Sequence, residues 1–390
     1  MPRTPIVLLS TLLIALTLTT LGVAQGQSEP RIVAIGDIHG AGDQFVALLR
    51  TAGLTDDRDQ WIGGRTHFIQ TGDYLDRGDK VREIMELLMR LEEDAKKAGG
   101  RADILMGNHE VMNLLYQFRD VSPQAYAAFA DDRSEDRRRR AYEDYASLMK
   151  KRKDAQPQSQ DEWMAAHPAG FLEYAEAFAP RGRYGRWLRS RSVVVKDGGS
   201  IFMHAGIAPG SVKSIDDVNR DVSTEIERWD RLRETLVKTG LIRPFFTFEE
   251  TLDAVNAEVG RIALALEAKE SPGDHVTREF VDQLQAAGAL GKSSLLNPEG
   301  PLWYRGLARL ADSDEPQILE LLKQLGAERF VTAHTPQLPG RVTARFSNHT
   351  FLIDTGMLTT FFKGGRPSAL ELQGGRITAI YPDAREVLVQ

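Results

Sequence analysis

Three times in the first third of the chain a strand-like run ends in glycine, and a polar cluster follows at once. Residues 32–35 are apolar throughout, and Gly36, Asp37, Ile38 and His39 come next. Residues 66–69 lead to Thr71-Gly72-Asp73-Tyr74-Leu75-Asp76-Arg77-Gly78, and residues 102–106 lead to Gly107-Asn108-His109-Glu110. Short runs of this kind, bounded by turn residues, predict buried strands. Between them the period changes to that of a helix. Residues 44–52 carry Phe45, Leu48 and Leu49 on one face, and residues 81–98 carry Ile84, Leu87, Leu88 and Leu91 before Gly99-Gly100. Strands alternating with helices predict an α/β layout, whose sites form beyond the C-terminal ends of the strands. The three polar clusters are therefore expected along one sheet edge.

From about 120 to 185 charged and alanine-rich helical sequence takes over. Its arginine run, 137–140, is flanked by Glu135, Asp136, Glu143 and Asp144, which predicts a solvated helix face rather than an anion site. Strand signals return at 192–196 and 200–203, joined by Asp197-Gly198-Gly199, and this hairpin delivers His204-Ala205-Gly206. A second helical stretch, about 214–291, is long enough to form a cap beside the site. Then come Pro301-Leu302-Trp303-Tyr304-Arg305-Gly306, a helix over 316–325, and a strand over 329–332 that ends at Ala333-His334-Thr335. Short strands are expected at 342–346, 350–354, 368–372 and 377–381. The whole predicts two packed mixed β-sheets flanked by helices, with helical insertions at about 120–185 and 214–291.

Composition narrows the partners and the compartment. A chain of 390 residues with a net charge of -6 is not built around nucleic acid. With no cysteine it has neither disulfides nor a thiolate site. Arg3, the apolar run over 6–21 and the small residues Gly22-Val23-Ala24 predict a signal peptide over 1–24 and a periplasmic or secreted protein. The apolar run is shorter than the ~20 residues of a span, which favours cleavage over retention as an anchor. No second stretch of membrane length follows, so no stable membrane span is expected after cleavage.

Collected, the residues that follow strands are Asp37, His39, Asp73, Asn108, His204 and His334. Three imidazoles, two carboxylates and an amide oxygen form a mixed nitrogen and oxygen set. It suits Mn, Fe or Zn and does not suit Ca. The set is too large for one four-coordinate zinc but fits two neighbouring ions that share a carboxylate.

The motifs GDIHG, GDYLDRG, GNHE, HAG and AHT, in that order, resemble the phosphoprotein phosphatase branch of the calcineurin-like metallophosphoesterases. PLWYRG and AHTPQ are more similar to the bacterial Shewanella-like phosphatases. The resemblance covers 31–110 and 186–210 and resumes at about 295. It implies an αββα sandwich and a hydrolase with two divalent or trivalent metal ions. Asp37 and His39 would bind the first ion, Asp73 would bridge both, and Asn108, His204 and His334 would bind the second. His109 would be the general acid, held by Asp76, while Arg77 and Arg305 would grip phosphoryl oxygens. The chemistry agrees with these roles. A phosphate dianion repels hydroxide, so cations and guanidiniums are needed around it. The leaving oxygen needs a proton. Arg77 also reads as a surface ion-pair partner, and Arg305 as a helix-end residue packed by Trp303 and Tyr304. Tyr74, His349 and Asp354 lie near the motifs without an assigned role.

Some positions depart from the eukaryotic serine/threonine enzymes. Met106 stands where arginine usually precedes GNHE, HAG replaces HGG, and the SAPNY-type loop is absent. The expected activity is hydrolysis of phosphoprotein or phosphopeptide monoesters, on tyrosine, serine or threonine, by a hydroxide held between the ions. Two other readings are a dinucleoside polyphosphate hydrolase and a catalytically silent binding protein. Glu110 and PLWYRG lean against the first; a complete set of ligands and acid leans against the second. Trp303 and Tyr304 either wall the site for an aryl group or are core packing.

Overall fold

The computed structural model describes residues 31–152, 157–211 and 214–390; the signal peptide expected over 1–24 lies outside them. The strands are β1 (Ile32–Ile35), β2 (His67–Gln70), β3 (Arg101–Ile104), β4 (Val194–Asp197), β5 (Ser200–Met203), β6 (Arg329–Thr332), β7 (Thr343–Arg345), β8 (Thr350–Leu352), β9 (Ala369–Gln373), β10 (Arg376–Ile380) and β11 (Arg385–Val389). They form two mixed sheets, in the orders β11-β10-β9-β1-β2-β3 and β4-β5-β6-β8-β7. In the first sheet β1, β2 and β3 run parallel, and in the second β5, β6 and β8 do. β9, β10 and β11 add an antiparallel wing that closes against β1.

β1 shows why its sequence is continuously apolar. Ile32 and Ala34 face Phe202, Val331, Phe351 and Leu370 in the layer between the sheets. Val33 and Ile35 face the other way, into the core under the helices with Phe45, Leu48 and Leu88. A strand covered on both faces has no solvent side to mark with polar residues. His67, buried on β2, pins the sheets at the edge far from the polar clusters. Its ring nitrogens lie 2.5 Å from Asp197 on β4 and 2.9 Å from Asp103 on β3.

The two helical insertions pack on each other. Arg243 pairs with Asp144 at 2.6 Å, and Trp163 meets Phe245 edge to face. Asp230 of the helix Ile215–Lys238 holds Arg189 through two 2.7 Å bonds. Three of the four arginines of 137–140 are engaged on the protein's own carboxylates: Arg137 with Asp131 and Glu173, Arg138 with Glu135, and Arg139 with Asp136. Among the described residues no helix is long and apolar enough to cross a membrane.

Candidate active site

The loops after six parallel strands meet at one edge of the sandwich. After β1 come Asp37 and His39, after β2 Asp73 to Arg77, and after β3 the helix Asn108–Leu114. The second sheet supplies His204 after β5, His334 after β6 and Asp354 after β8. These loops are tight. The backbone N–H groups of Ile38 and His39 both donate to Asp73 O at 2.9 Å. Gly72 has φ +97°, and a Cβ there would lie 2.3 Å from Gly107 N. A Cβ on Gly107 would in turn lie 2.2 Å from Asp73 Oδ1. No side chain fits between these two loops, so both positions require glycine. His39, Asp73, Asp76, Arg77 and His334 all have φ between +48° and +66°. Backbone held in this region by its surroundings stores strain, and it clusters at functional sites.

Glu110 holds the arrangement from below. Its Oε2 accepts the N–H groups of Asp73 and Gly107 at 2.7 Å each, and its Oε1 accepts those of Tyr74 and Leu75 at 3.0 and 3.1 Å. Burial and the neighbouring Asp73 push its pKa up to about 7. Four N–H donors nevertheless fill its lone pairs and leave no place for an acid proton, so the carboxylate is the form that fits.

The expected ligand atoms converge in two groups. His204 Nε2 lies 2.9 Å from Asn108 Oδ1, 2.9 Å from His334 Nδ1 and 3.2 Å from Asp73 Oδ2. His39 Nε2 lies 3.6 Å from both Asp37 Oδ2 and Asp73 Oδ2, and His109 Nε2 lies 3.8 Å from the same Asp73 oxygen. Asp73 Oδ2 is thus common to both groups. The outer nitrogens set the tautomers. His39 Nδ1 donates to Leu75 O at 3.0 Å, and His334 Nε2 to Trp303 O at 3.2 Å. Each leaves its lone pair pointing at the cluster, as metal-binding histidines do. Burial would lower the pKa of His204, but Asp73 and Asp37 outweigh it and lift the value to about 9. A pocket with that field, lined by inward lone pairs, fits bound cations.

The remaining groups surround this cluster in a cavity of about 250 Å³, lined among others by Arg77, His109, Trp303, Arg305 and Phe362. His109 Nδ1 lies 2.7 Å from Asp76 Oδ2. Burial would lower the pKa of His109, but Asp73 and Asp76 raise it to about 9. Arg77 reaches His39 Nε2 at 2.6 Å and His109 Nε2 at 3.2 Å, and its guanidinium lies over the rings of Phe361 and Phe362. Arg305 Nη1 is anchored on His334 O and Thr335 Oγ1. Among the described residues no salt bridge joins either arginine to a carboxylate; the contacts of Arg77 are the two imidazoles and the rings of Phe361 and Phe362.

Some placements differ from expectation. Tyr304 is buried and lines a neighbouring cavity, so of the expected aromatic pair only Trp303 borders the cluster. The cavity-lining residues include none from 214–291; that insertion packs on the first one through Arg243 to Asp144 and Phe245 to Trp163. Phe362 is not among the residues named from the sequence, and Asp354 is named there without a role. Asp354 is fully buried, and burial beside Asp37 pushes its pKa well up. It follows β8 in the same manner as the other site residues follow their strands, a signal present in the sequence.

The fold and the cluster define a metallophosphoesterase. The profile of the calcineurin-like phosphoesterase family matches residues 30–240, more than half of the chain, and the protein belongs to that family. It is a metal-dependent phosphatase, of a family that uses a dimetal centre. An uncharacterized Schizosaccharomyces pombe protein is 27% identical over 337 residues, 85% of this chain and 74% of that one. Shewanella-like protein phosphatase 2 of Arabidopsis thaliana is 32% identical over 50% of this chain and 51% of its own length. The crystal structure of a cold-active protein-tyrosine phosphatase from a Shewanella species superposes with a TM-score of 0.56 at 22% identity. That superposition covers 92% of this chain and 80% of the other, and the shared feature is the fold.

Proposed function

We propose that the protein is an exported phosphomonoesterase with two metal ions, acting on phosphorylated proteins or peptides. The observation that carries this reading is one cavity lined by Asp37, His39, Asp73, Asn108 and His334 together with Arg77, Arg305 and His109, with His204 and Asp76 bonded directly behind them. Asp37, His39 and Asp73 would hold one ion, and Asp73, Asn108, His204 and His334 the other. Such ions, Mn, Fe or Zn, supply positive charge for the phosphoryl oxygens and lower the pKa of an attacking water. The chain's own residues do the rest. Arg77 and Arg305 present planar forks that match phosphate oxygens and orient the phosphoryl group. His109 gives the proton on Nε2 to the leaving oxygen while Asp76 keeps its Nδ1 bonded. The protein phosphatase named among the relatives supports a phosphoprotein substrate.

The choice between tyrosine and serine or threonine turns on the walls. Trp303 and Phe362 both line the cavity, and the Trp303 indole is fixed by its 2.8 Å bond to Leu295 O. Aromatic walls favour an aryl phosphate through ring contacts. Phosphotyrosine peptides are therefore expected to be hydrolysed at least as fast as phosphoserine peptides. Trp303→Ala should reduce the phosphotyrosine rate more than the phosphoserine rate. The test is a panel of phosphotyrosine, phosphoserine and phosphothreonine peptides alongside dinucleoside polyphosphates. Turnover of the polyphosphates alone would replace this function with the polyphosphate hydrolase, and no turnover by the metal-loaded protein would favour a silent binder. A clear phosphoserine preference would remove only the aromatic wall.

Export rests on Arg3, the apolar run over 6–21 and Ala24. Protein isolated from its native host should begin near Gln25 on N-terminal sequencing, and an intact Met1 on soluble protein inside the cell would overturn the localisation.

A further inference from the structure

The first helical insertion reaches the chemistry from behind. Tyr174, on the helix Phe171–Phe178, is fully buried and donates its O–H to Asn113 Oδ1 at 2.7 Å. Asn113 lies one turn after His109 on the helix Asn108–Leu114. Its Nδ2 donates to Asp76 Oδ1 and to His109 O, both at 2.9 Å. Asp76 Oδ2 then takes the Nδ1–H of His109 at 2.7 Å. All four residues of this chain are buried.

The chain has one direction. Asp76 is an acceptor, so it selects the NH₂ end of the Asn113 amide. The oxygen end then needs a donor, and the phenol supplies it. Burial, with Asp76 nearby, holds the Tyr174 phenol well above its ordinary pKa, so the proton stays on. The ring is itself immobilised, stacked on Phe178 with centroids 4.4 Å apart and met edge-on by Phe118, Tyr126 and Phe129. Asp76 sits at φ +66°, a backbone conformation that persists only where its surroundings hold it.

We propose that Tyr174 and Asn113 are positioning residues for proton delivery: through Asp76 they hold the His109 ring at the angle that serves the leaving oxygen. This rests on His109 being the general acid. It assigns the insertion a part in the reaction, although none of its helices borders the cavity. A group that acts only through the acid matters in proportion to how much the leaving group needs a proton.

The experiment measures kcat, KM, metal content and thermal unfolding for Tyr174→Phe and Asn113→Leu, using phosphoserine peptide and p-nitrophenyl phosphate. Tyr174→Phe should lower kcat on phosphoserine peptide by about fivefold, the worth of one hydrogen bond. On p-nitrophenyl phosphate the change should be less than about twofold, with KM and metal content unchanged. Asn113→Leu should show the same split with a larger loss. Should Asn113→Leu fail to fold, Tyr174→Phe, which keeps the ring, decides alone. Equal losses on both substrates, no loss, or a loss that follows metal content would overturn the proposal. The same pair of substrates is run with His109→Asn and with His109→Asn/Tyr174→Phe. In the absence of the acid, Tyr174→Phe should add nothing. If His109→Asn shows no leaving-group split, the acid assignment fails. If it shows the split and Tyr174→Phe does not, the positioning role fails by itself.

Discussion

Asn in place of Asp73 is expected to reduce turnover by about 10³-fold or more, on the scale of deleting a catalytic group. Asp73 Oδ2 is common to both groups of ligand atoms, 3.2 Å from His204 Nε2 and 3.6 Å from His39 Nε2. An amide turned so that Oδ1 still accepts the His109 N–H, as it does now at 3.0 Å, would present NH₂ to the two cations proposed for the site. Turned the other way, it keeps one weak ligand and loses the bond that starts the helix. The substitution is a clean one, because asparagine tolerates the left-handed backbone that Asp73 adopts at φ +56°. His39 stands at φ +48°, so the matching control is His39→Asn rather than alanine. On the proposed arrangement that variant would remove a ligand from one ion only and should cost less. Metal analysis should give two ions per chain for the parent protein and fewer for Asp73→Asn. A consistently greater loss from His39→Asn would show that the shared oxygen is not Asp73.

The convergence of these residues is legible in the sequence, and the reason is topological. A residue that follows a parallel strand is carried to the sheet edge wherever the strand lies in the chain. Local order alone therefore places Asp37, Asp73, Asn108, His204 and His334 together. What stayed hidden acts across distance. Glu110 stands in the GNHE motif, but its task is to accept four N–H groups from two loops, and no periodicity reports that. Phe362 comes from the long connection between β8 and β9, and Tyr174 meets Asn113 across 61 positions of sequence. β11 went unpredicted because Arg385-Glu386-Val387-Leu388-Val389 is a half-exposed edge with mixed polarity, where burial leaves little imprint. The second insertion was expected to cap the site from its length alone. Length carries no direction, and its contacts, Arg243 to Asp144 and Phe245 to Trp163, turn it onto its neighbour.

The identity of the acid is the claim most open to kinetics. His109→Asn should lower kcat on phosphoserine peptides by about 10²- to 10⁴-fold, the usual worth of a general acid. The serine alkoxide is a poor leaving group and departs only as it takes a proton. A p-nitrophenolate ion leaves unaided, so the loss on p-nitrophenyl phosphate should be at least about tenfold smaller. Metal content should be retained, because His109 Nδ1 is committed to Asp76 and the ligand atoms of His204, His334 and Asn108 already converge without it. Two alternatives predict other patterns. His109 Nε2 lies within 3.8 Å of Asp73 Oδ2, close enough to be a ligand, and a ligand role predicts metal loss with equal damage on both substrates. A role confined to binding phosphate, shared with Arg77 at 3.2 Å, predicts a raised KM with kcat preserved. Only the acid ties the size of the defect to the basicity of the oxygen that leaves.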